Sequence, residues 1–257
     1  MAQTHKLDTI ANNLANVDTA AFKKDKQTFN EYLTANEKYP DTLQVPRVTA
    51  SIESFYDMQG GDKSFVDTNG TYTDFSQGGL KQTGNAFDFA LEGRGFFEVQ
   101  TPNGVKLQRA GNFKISPEGY LVTNNGHPVL AEGIGVDPEQ RRMQLANSGN
   151  VTVAFNGEIY QDGGLVGKMS IVDPQNQEAL QKQGQLLYGF KDNQDPQLQL
   201  ATSARVHQGY VETSNVNVVE EMTEMIKTTR AFESTQKAIR AFDEMDNKLV
   251  NEVGRVR

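Results

Sequence analysis

The sequence of 257 residues contains no cysteine and no tryptophan. Without cysteine, the chain forms neither disulfides nor thiolate metal sites. It has only three histidines, His5, His127 and His207, which are scattered and lack the close spacing of metal ligands. The composition therefore excludes the commonest structural metal sites, and the histidines predict no catalytic centre.

Long apolar runs are also missing. Nowhere do ~18 apolar residues occur together, and the N-terminus has no apolar segment flanked by basic residues. We therefore predict no direct membrane insertion and no conventional Sec signal peptide. The net charge is −8, from 25 basic and 33 acidic residues, and no basic run or face is visible. This dispersed acidic charge argues against a nucleic-acid partner.

Motifs for enzymatic chemistry are lacking too. Gly93-Arg94-Gly95 has no third glycine for a dinucleotide loop, and Asp67-Thr68-Asn69-Gly70 has no closing glutamate for a calcium loop. There is no Gly-x-Ser-x-Gly motif and no phosphate-binding loop. The sequence predicts a protein that is not an enzyme and that has no cofactor and no metal.

What the sequence does contain begins with a short amphipathic helix. Its apolar residues fall at i, i+3, i+4 and i+7, and they are Leu7, Ile10, Ala11 and Leu14. Asn12, Asn13 and Asn16 are unusual so close together, because Asn is a poor helix former. Two interpretations stay open: the amides bond to neighbouring chains, or the helix frays near Asn16.

The central region has the pattern of short antiparallel strands. Four Asn-Gly dipeptides, which favour tight hairpin turns, occur at positions 69–70, 103–104, 125–126 and 156–157. Alternating apolar residues lie between them, as in Phe87, Phe89 and Leu91. The spacing predicts a small antiparallel barrel or sandwich. Before it, Phe29, Tyr32 and Leu33 are spaced to extend a helix.

The C-terminal region predicts a long helix, from Val216 to Val253, with Ser214 or Asn215 as its cap. Val218, Met225, Phe232 and Ile239 recur every seven residues. At ~1.5 Å per residue the helix would be about 57 Å long, more than a small β domain can cover. There are two alternative explanations for the apolar stripe of this helix: an ordinary core face, or a closed coiled coil of a homo-oligomer. The length of the helix favours packing against other molecules.

These patterns together predict an α+β protein of discontinuous organisation, with N- and C-terminal helices forming a coiled-coil-like assembly region around a mainly antiparallel β domain. The expected segments are residues 1–30 (N-terminal helical assembly segment), 31–75 (connector), 76–200 (β domain) and 201–257 (returning strand and C-terminal helical segment). The predicted assembly interface comprises Leu7, Ile10, Asn12, Asn13, Leu14, Asn16, Val17, Asn215, Val218, Met222, Met225, Ile226, Phe232, Ile239, Phe242, Met245 and Leu249.

Several motifs resemble those of the flagellar basal-body rod and hook protein family. They occur in the family's order and span nearly the whole chain: Leu7–Val17 with Phe22-Lys23, Gly93–Val99, Arg109–Phe113, Gly119–Val122, Val211–Asn217, Glu221-Met222 and Arg230–Glu233. The chain departs from the family at Ala21, where members usually have glycine. The freedom of that glycine is then either not required here or the turn is shifted. Members also usually begin earlier, with more apolar helix, so the resemblance implies helix residues before Met1.

The resemblance implies a structural subunit of the rod that crosses the periplasm in the flagellar basal body. Its implied partners are other rod subunits, further copies of itself and the flagellar type III export apparatus. Residues 151–173 and 177–188 are more similar to proximal rod subunits, whereas residues 208–215 are equally similar to distal ones. A surface adhesive or glycan-binding protein with a helical stalk is the alternative from another class.

Overall fold

The computed structural model describes residues 2–33, 64–133, 135–146, 149–184, 186–191 and 197–248. The chain divides into two compact units. Unit 1 comprises Met1–Thr9, Lys26–Tyr72 and Met225–Arg257, and unit 2 comprises Ile10–Asp25 and Thr73–Glu224. A strand that the sequence also predicts, over Ser51–Met58, lies outside the described residues.

Two α-helices occur in the described part of the chain, near its two ends. They are α1, Ala2–Ala15, and α2, Val218–Lys248. The cap of α2 is Asn217, not Ser214 or Asn215, because the Asn217 Oδ1 accepts hydrogen bonds from the amides of Val219 (3.1 Å) and Glu220 (3.4 Å). Glu220 and Glu221 in its first turn stabilise the positive end of the helix dipole.

Between the helices lie seventeen described strands. They are β1 Asp25–Leu33, β2 Ser64–Thr73, β3 Leu80–Gln82, β4 Phe89–Glu92, β5 Phe96–Thr101, β6 Gly104–Gln108, β7 Phe113–Ile115, β8 Leu121–Thr123, β9 Val151–Val153, β10 Glu158–Gln161, β11 Gly164–Lys168, β12 Ile171–Pro174, β13 Leu180–Lys182, β14 Leu187–Phe190, β15 Leu198–Leu200, β16 Arg205–Gln208 and β17 Tyr210–Glu212. Short 3₁₀ helices at Pro138–Arg141 and Gln177–Ala179 interrupt them.

In unit 1, β1 and β2 form a two-stranded sheet. The helical extension predicted for Phe29, Tyr32 and Leu33 is therefore wrong, because all three residues lie in β1. The sequence of this segment is compatible with a strand as well as with a helix, because Thr28, Phe29 and Tyr32 also have high strand propensity. Pairing with a strand from a distant part of the chain decided between them.

In unit 2 the largest sheet has six strands in the order β13-β14-β6-β5-β12-β15, and a three-stranded sheet has the order β11-β10-β9. Two-stranded sheets join β16 to β4, β17 to β3 and β7 to β8. Every pairing within unit 2 is antiparallel. The predicted antiparallel β domain between two terminal helices is thus confirmed.

The Asn-Gly dipeptides were good but imperfect indicators of turns. Gly104 begins β6 after the turn from β5, Gly126 lies in the turn after β8, and Gly157 lies between β9 and β10, all with positive φ. Asn69-Gly70, however, lies inside β2. The local preference of this dipeptide was overridden there by strand pairing.

The core of unit 2 is built from the inward-facing residues of these strands. Its largest cluster includes Phe89, Leu91, Phe97, Phe113 and Ile159. The rings of Phe97 and Phe113 meet edge to face with centroids 5.3 Å apart, a favourable arrangement for aromatic pairs. A second cluster contains Phe96, Leu107, Val172, Leu180 and Tyr188, so the apolar residues of these strands fill two clusters.

Gly111 lies where two backbones of this core approach each other closely. A Cβ atom at this position would lie 1.8 Å from the Phe89 carbonyl oxygen, in a segment where the Phe89 amide also donates to the Gly111 oxygen. We expect Gly111→Ala to lower the free energy of unfolding by about 3 kcal/mol, because neither backbone can move without breaking the ladder. Urea denaturation measures the change.

A matched control is Gly164→Ala, where the added Cβ would lie 3.5 Å from its nearest atom, the Gln161 oxygen. This variant should change the free energy of unfolding by less than about 1 kcal/mol. Equal stability of the two variants would contradict the close packing at Gly111.

Candidate functional site

The motifs that are far apart in the sequence meet at one buried place in unit 2, which we call the junction. It consists of Lys23, Arg109, Glu212 and Asn215 with the backbone around them. Lys23 follows the N-terminal helix, Arg109 follows β6, and Glu212 ends β17 ahead of the C-terminal helix. The junction therefore links both terminal segments to the β domain.

Glu212 is the centre of the junction and is only 2% exposed. Its Oε1 accepts hydrogen bonds from the Lys23 ammonium (2.5 Å) and from the Gly78 amide (2.9 Å), and its Oε2 accepts from the Arg109 Nε (2.5 Å). Its backbone oxygen accepts from the Ala21 amide at 2.8 Å. One carboxylate thus holds three separate segments, and hydrogen bonds offset the cost of its burial.

Arg109 extends this connection into the β domain. Its Nη1 donates to the Gly95 oxygen at 2.5 Å, and its Nη2 donates to the oxygens of Leu91 (3.0 Å) and Gly93 (2.8 Å). With the bond to Glu212, the guanidinium makes four hydrogen bonds in directions that its planar fork fixes. Lysine could not replace it, because an ammonium has only three donors.

Lys23 is the second cation of the junction and is 1% exposed. Its ammonium also donates to the Ser76 oxygen at 2.8 Å. Burial lowers the pKa of Lys23 below its ordinary value of 10.5, although the charge of Glu212 and the hydrogen bond to it act in the opposite direction. The ammonium therefore depends on the carboxylate of Glu212 to stay charged in this environment.

The N-terminal segment is held by two further side chains. Asn215 Oδ1 accepts from the Lys24 amide at 2.8 Å, while its Nδ2 donates to the Asp74 oxygen at 2.8 Å. Lys182 of β13 forms an ion pair with Asp25 at 2.8 Å. Burial lowers the pKa of Lys182, against the hydrogen bond and charge of Asp25. Lys182 also lies 4.4 Å from the centroid of the Phe22 ring, a cation–π contact.

Asn13 links the end of α1 to the start of α2 and is 2% exposed. Its Oδ1 accepts from the Asp25 amide (3.0 Å), and its Nδ2 donates to the Asp25 oxygen (2.9 Å) and to Glu221 Oε2 (3.3 Å). Asn16 donates to the Asn12 oxygen at 2.8 Å. The amides of Asn13 and Asn16 therefore have partners within the chain, whereas Asn12 is exposed.

Ala21 has a left-handed backbone with φ of +55°. The idea that backbone freedom is not required at this position is therefore wrong: the chain makes the left-handed turn that glycine favours, and alanine bears the strain. The residue is 1% exposed and its amide donates to Glu212, so the turn is fixed by the junction.

We expect Ala21→Gly to change the free energy of unfolding by less than about 1 kcal/mol, because opposing effects nearly cancel. Glycine relieves the backbone strain at positive φ, but it removes a buried methyl group and makes the unfolded chain more flexible. Ala21→Val should lower it by about 2–3 kcal/mol, because a β-branched residue is a genuine outlier at positive φ and adds bulk to a buried site. Thermal unfolding of both variants measures the difference. Valine tolerated as well as glycine would contradict this account of the turn.

The predicted interface residues of α2 lie mostly in solvent. A first apolar group of Val218, Val219, Met222 and Ile226 is 37–73% exposed, while Glu221 and Thr228 on another face are buried. Further along, every side chain from Glu233 to Lys248 is exposed. A second apolar group lies there, with Ile239 54%, Phe242 63% and Met245 51% exposed.

The remaining predicted interface residues differ in burial. Met225 and Phe232 are half-buried, as are Leu7, Leu14, Asn16, Val17 and Asn215, and Ile10 is buried. Leu249 lies outside the described residues. The predicted set therefore contains two kinds of residue: some are fixed inside unit 2, and others on α2 present apolar surface.

Sequence reasoning did not single out Lys23, Arg109 or Glu212, although all three lie in the motifs quoted above. Each of the three has a polar or charged neighbour, namely Lys24, Gln108 and Thr213, so the local sequence does not mark it as a buried charge. A buried charge is usually paired, but only its partners in the fold reveal it. The sequence could not show that these three charges meet.

No described helix is long and apolar enough to cross a membrane.

The arrangement is that of a structural protein in which one buried junction ties a β domain to two terminal helices. Three family models match: the flagella basal body rod protein model at residues 1–23, the flagellar hook protein FlgE/F/G D1 domain at 90–153, and the flagellar basal body rod FlgEFG protein C-terminal model at 207–252. These ranges contain all four junction residues.

Full-length relatives agree with these matches. The flagellar basal-body rod protein FlgG of Buchnera aphidicola subsp. Schizaphis graminum is 34% identical over 253 residues, covering 96% of this chain and 94% of the relative. FlgF of Caulobacter vibrioides is 34% identical over 256 residues, covering 100% and 95%. FlgG of Bacillus subtilis is 32% identical over 254 residues, covering 96% and 92%. The chain belongs to the flagellar basal-body rod protein family.

Proposed function

We propose that this chain is a subunit of the proximal rod, which polymerises through its terminal helices to build the drive shaft of the flagellum. The observation that supports the proposal most directly is the second apolar group of α2. Ile239, Phe242 and Met245 lie in a stretch of sixteen helical residues that are all exposed. Burying such side chains against other helices is worth ~1.5–3 kcal/mol each.

The terminal helices would then become fully ordered as neighbouring subunits cover them, in a coiled-coil-like assembly region. A helix without tertiary packing is only marginally stable in water, so the free subunit would hold its distal α2 weakly. Ordering on assembly has an entropic cost, which limits premature polymerisation before export. The proposed route of export is the flagellar type III apparatus, and the proposed partners are copies of this chain and other rod subunits.

The junction gives this subunit a mechanical property. A drive shaft has to transmit torque between its helical assembly region and its β domains. Glu212, Arg109 and Lys23 connect the two with short charge-assisted hydrogen bonds whose directions are fixed. We infer that the junction holds the chain segments at residues 21–24 and 212–215 rigidly against the β domain.

The proximal position is preferred because residues 151–173 and 177–188 resemble proximal subunits more closely. Relatives named FlgG and FlgF both match at 34% identity, so overall identity does not choose between the two kinds of rod subunit. The distal rod is therefore the alternative within the same family.

The experiment is to delete the chain from its own organism and to compare intact basal bodies by electron cryomicroscopy, with and without a complementing copy. We expect a rod truncated near the inner-membrane ring and loss of motility, both restored by the copy. Truncation only at the hook-proximal end would favour the distal rod. A complete rod in the deletion strain, or a purified chain of fixed small stoichiometry that never joins rods, would contradict the proposal.

A further inference from the structure

We propose that Met222 and Met245 are sites of reversible oxidation by peroxide, and that methionine sulfoxide at these positions keeps the free subunit out of the rod. The effect on assembly rests on the proposed function. The oxidation itself is a property of the isolated chain, so the two parts of the inference are tested separately.

Methionine is the only sulfur-containing residue of this chain. It has seven methionines and no cysteine, so no thiol competes with the thioethers for an oxidant. Burial separates the methionines that the structure describes: Met222 and Met245 are each 51% exposed, whereas Met143 is 3% and Met169 1% exposed. Met225 is half-buried. Because oxidation of sulfur depends on its exposure, the first two thioethers are the ones that a peroxide reaches.

The two exposed methionines lie in the two apolar groups of α2, one in each. Met222 is near Val219 and Ile226 in the first group, and Met245 follows Phe242 in the second. The other members of both groups carry hydrocarbon side chains, which peroxide does not attack. Each apolar group therefore contains one atom whose polarity oxidation can change.

The reaction transfers two electrons from sulfur to the peroxide. A lone pair of the thioether sulfur attacks one oxygen of hydrogen peroxide, so that a sulfur–oxygen bond forms as the oxygen–oxygen bond breaks. The other oxygen leaves with both hydrogens as water. The product is a polar, chiral sulfoxide, and methionine sulfoxide reductases convert it back to the thioether. The modification is therefore reversible.

A sulfoxide affects the free subunit and the assembled subunit differently. At an exposed position its oxygen stays hydrated, so the fold of the free subunit is unchanged. In the proposed assembly the same oxygen would be buried against apolar side chains, and burial of a polar atom without a hydrogen-bond partner is unfavourable. We expect each sulfoxide to weaken incorporation about tenfold. Oxidation of the free subunit would thus regulate the supply of subunits to the rod.

The oxidation is tested on the purified full chain with dilute hydrogen peroxide and mass spectrometry of its peptides. Met222 and Met245 should be converted to the sulfoxide at least about tenfold faster than Met143 and Met169, which are the buried controls in the same molecule. Circular dichroism of the oxidised chain should match that of the untreated chain. Equal rates at the four positions would overturn the proposal, whether or not the chain is a rod subunit.

The effect on assembly is tested in cells that lack methionine sulfoxide reductases, with the chain synthesised only during a brief exposure to hydrogen peroxide. The number of copies in isolated basal bodies should fall at least about tenfold for the unmodified chain, compared with untreated cells. For Met222→Leu with Met245→Leu, which lacks both exposed thioethers, the exposure should not change the number. Damage to other proteins affects both strains alike, so an equal loss in both would overturn the proposal.

A polar replacement tests the same consequence without an oxidant. Met222→Gln with Met245→Gln puts a polar group at both exposed positions, and glutamine is a good helix former, so α2 is retained. This variant should give at least about tenfold fewer copies in rods than the leucine variant. Equal numbers would overturn the regulation of assembly and leave the proposed function standing. Absence of the unmodified chain from rods would instead refute the proposed function itself.

Discussion

Replacing Glu212 with glutamine should lower the free energy of unfolding of unit 2 by about 3–5 kcal/mol. The change keeps the shape of the side chain but removes the charge that both Lys23 and Arg109 contact at 2.5 Å. Two buried cations would then lack a counter-charge, and an uncompensated buried charge is among the most destabilising changes in a protein. Urea denaturation followed by circular dichroism measures the loss.

The pH dependence gives a second readout of the same variant. Burial already lowers the pKa of Lys23 from 10.5, and removing the carboxylate should lower it further. Between the folded and unfolded pKa values, the unfolded chain binds more protons than the folded chain, so stability rises with pH in that window. The free energy of unfolding of the Glu212→Gln variant should therefore rise as the pH is raised toward 10.5. This rise should be larger than the rise for the unmodified protein over the same pH range.

Glu220→Gln is the matched control. Glu220 is 59% exposed and lies 3.7 Å from Lys24, so loss of its charge should change stability by less than about 0.5 kcal/mol. If Glu212→Gln were as stable as this control, the junction would not be an energetically important connection between the terminal segments and the β domain.

The second large effect concerns assembly. Ile239→Asp with Phe242→Asp should abolish incorporation into rods and swimming, while the free subunit keeps its stability within about 1 kcal/mol. Both side chains are more than half exposed in the free chain, so folding loses little. In the rod each would forfeit ~1.5–3 kcal/mol of burial, which for two residues exceeds a hundredfold in affinity. Swimming in soft agar and subunit content of isolated basal bodies measure the effect.

The control for this variant is Gln236→Asp with Asn247→Asp. Both positions are exposed on the same stretch of α2, and at 3.6 residues per turn they lie about 120–140° around the helix from the centre of the apolar group. The control adds the same charge to the same helix and should leave swimming intact. Normal swimming of the Ile239→Asp and Phe242→Asp variant would refute the role of the second apolar group.

The sequence predicts the features that depend on neighbouring residues better than the features that depend on contacts between distant parts of the chain. The unpartnered apolar stripe of α2 followed from its length alone, because no short β domain could cover it. Several strands of unit 2, such as β4, β6, β7 and β9, followed from alternation over a few residues. By contrast, Asn69-Gly70 and the segment containing Phe29 and Tyr32 were decided by pairing between β1 and β2, which local patterns do not contain.

Asn13 and Asn215 show the same division. Sequence reasoning singled out Asn13 as one of three closely spaced asparagines and Asn215 as a candidate helix cap, and it placed both in the predicted assembly interface. The structure finds hydrogen bonds for both within unit 2, to Asp25 and Glu221 for Asn13 and to Lys24 and Asp74 for Asn215. Their role in assembly stays a prediction, which would have to act through the positions of the helices that they hold.

By itself, the sequence determined the family, the order of a helix, an antiparallel β domain and a second helix, and the excess of apolar surface near the C-terminus. These features depend on composition, periodicity and length, which are properties of neighbouring residues. Only the tertiary structure decided that Lys23, Arg109 and Glu212 form one junction, and that Ala21 adopts a left-handed turn to reach it. Those facts depend on contacts between residues 103 and 189 positions apart, and the cost of burying a charge is set by the partners that folding brings to it.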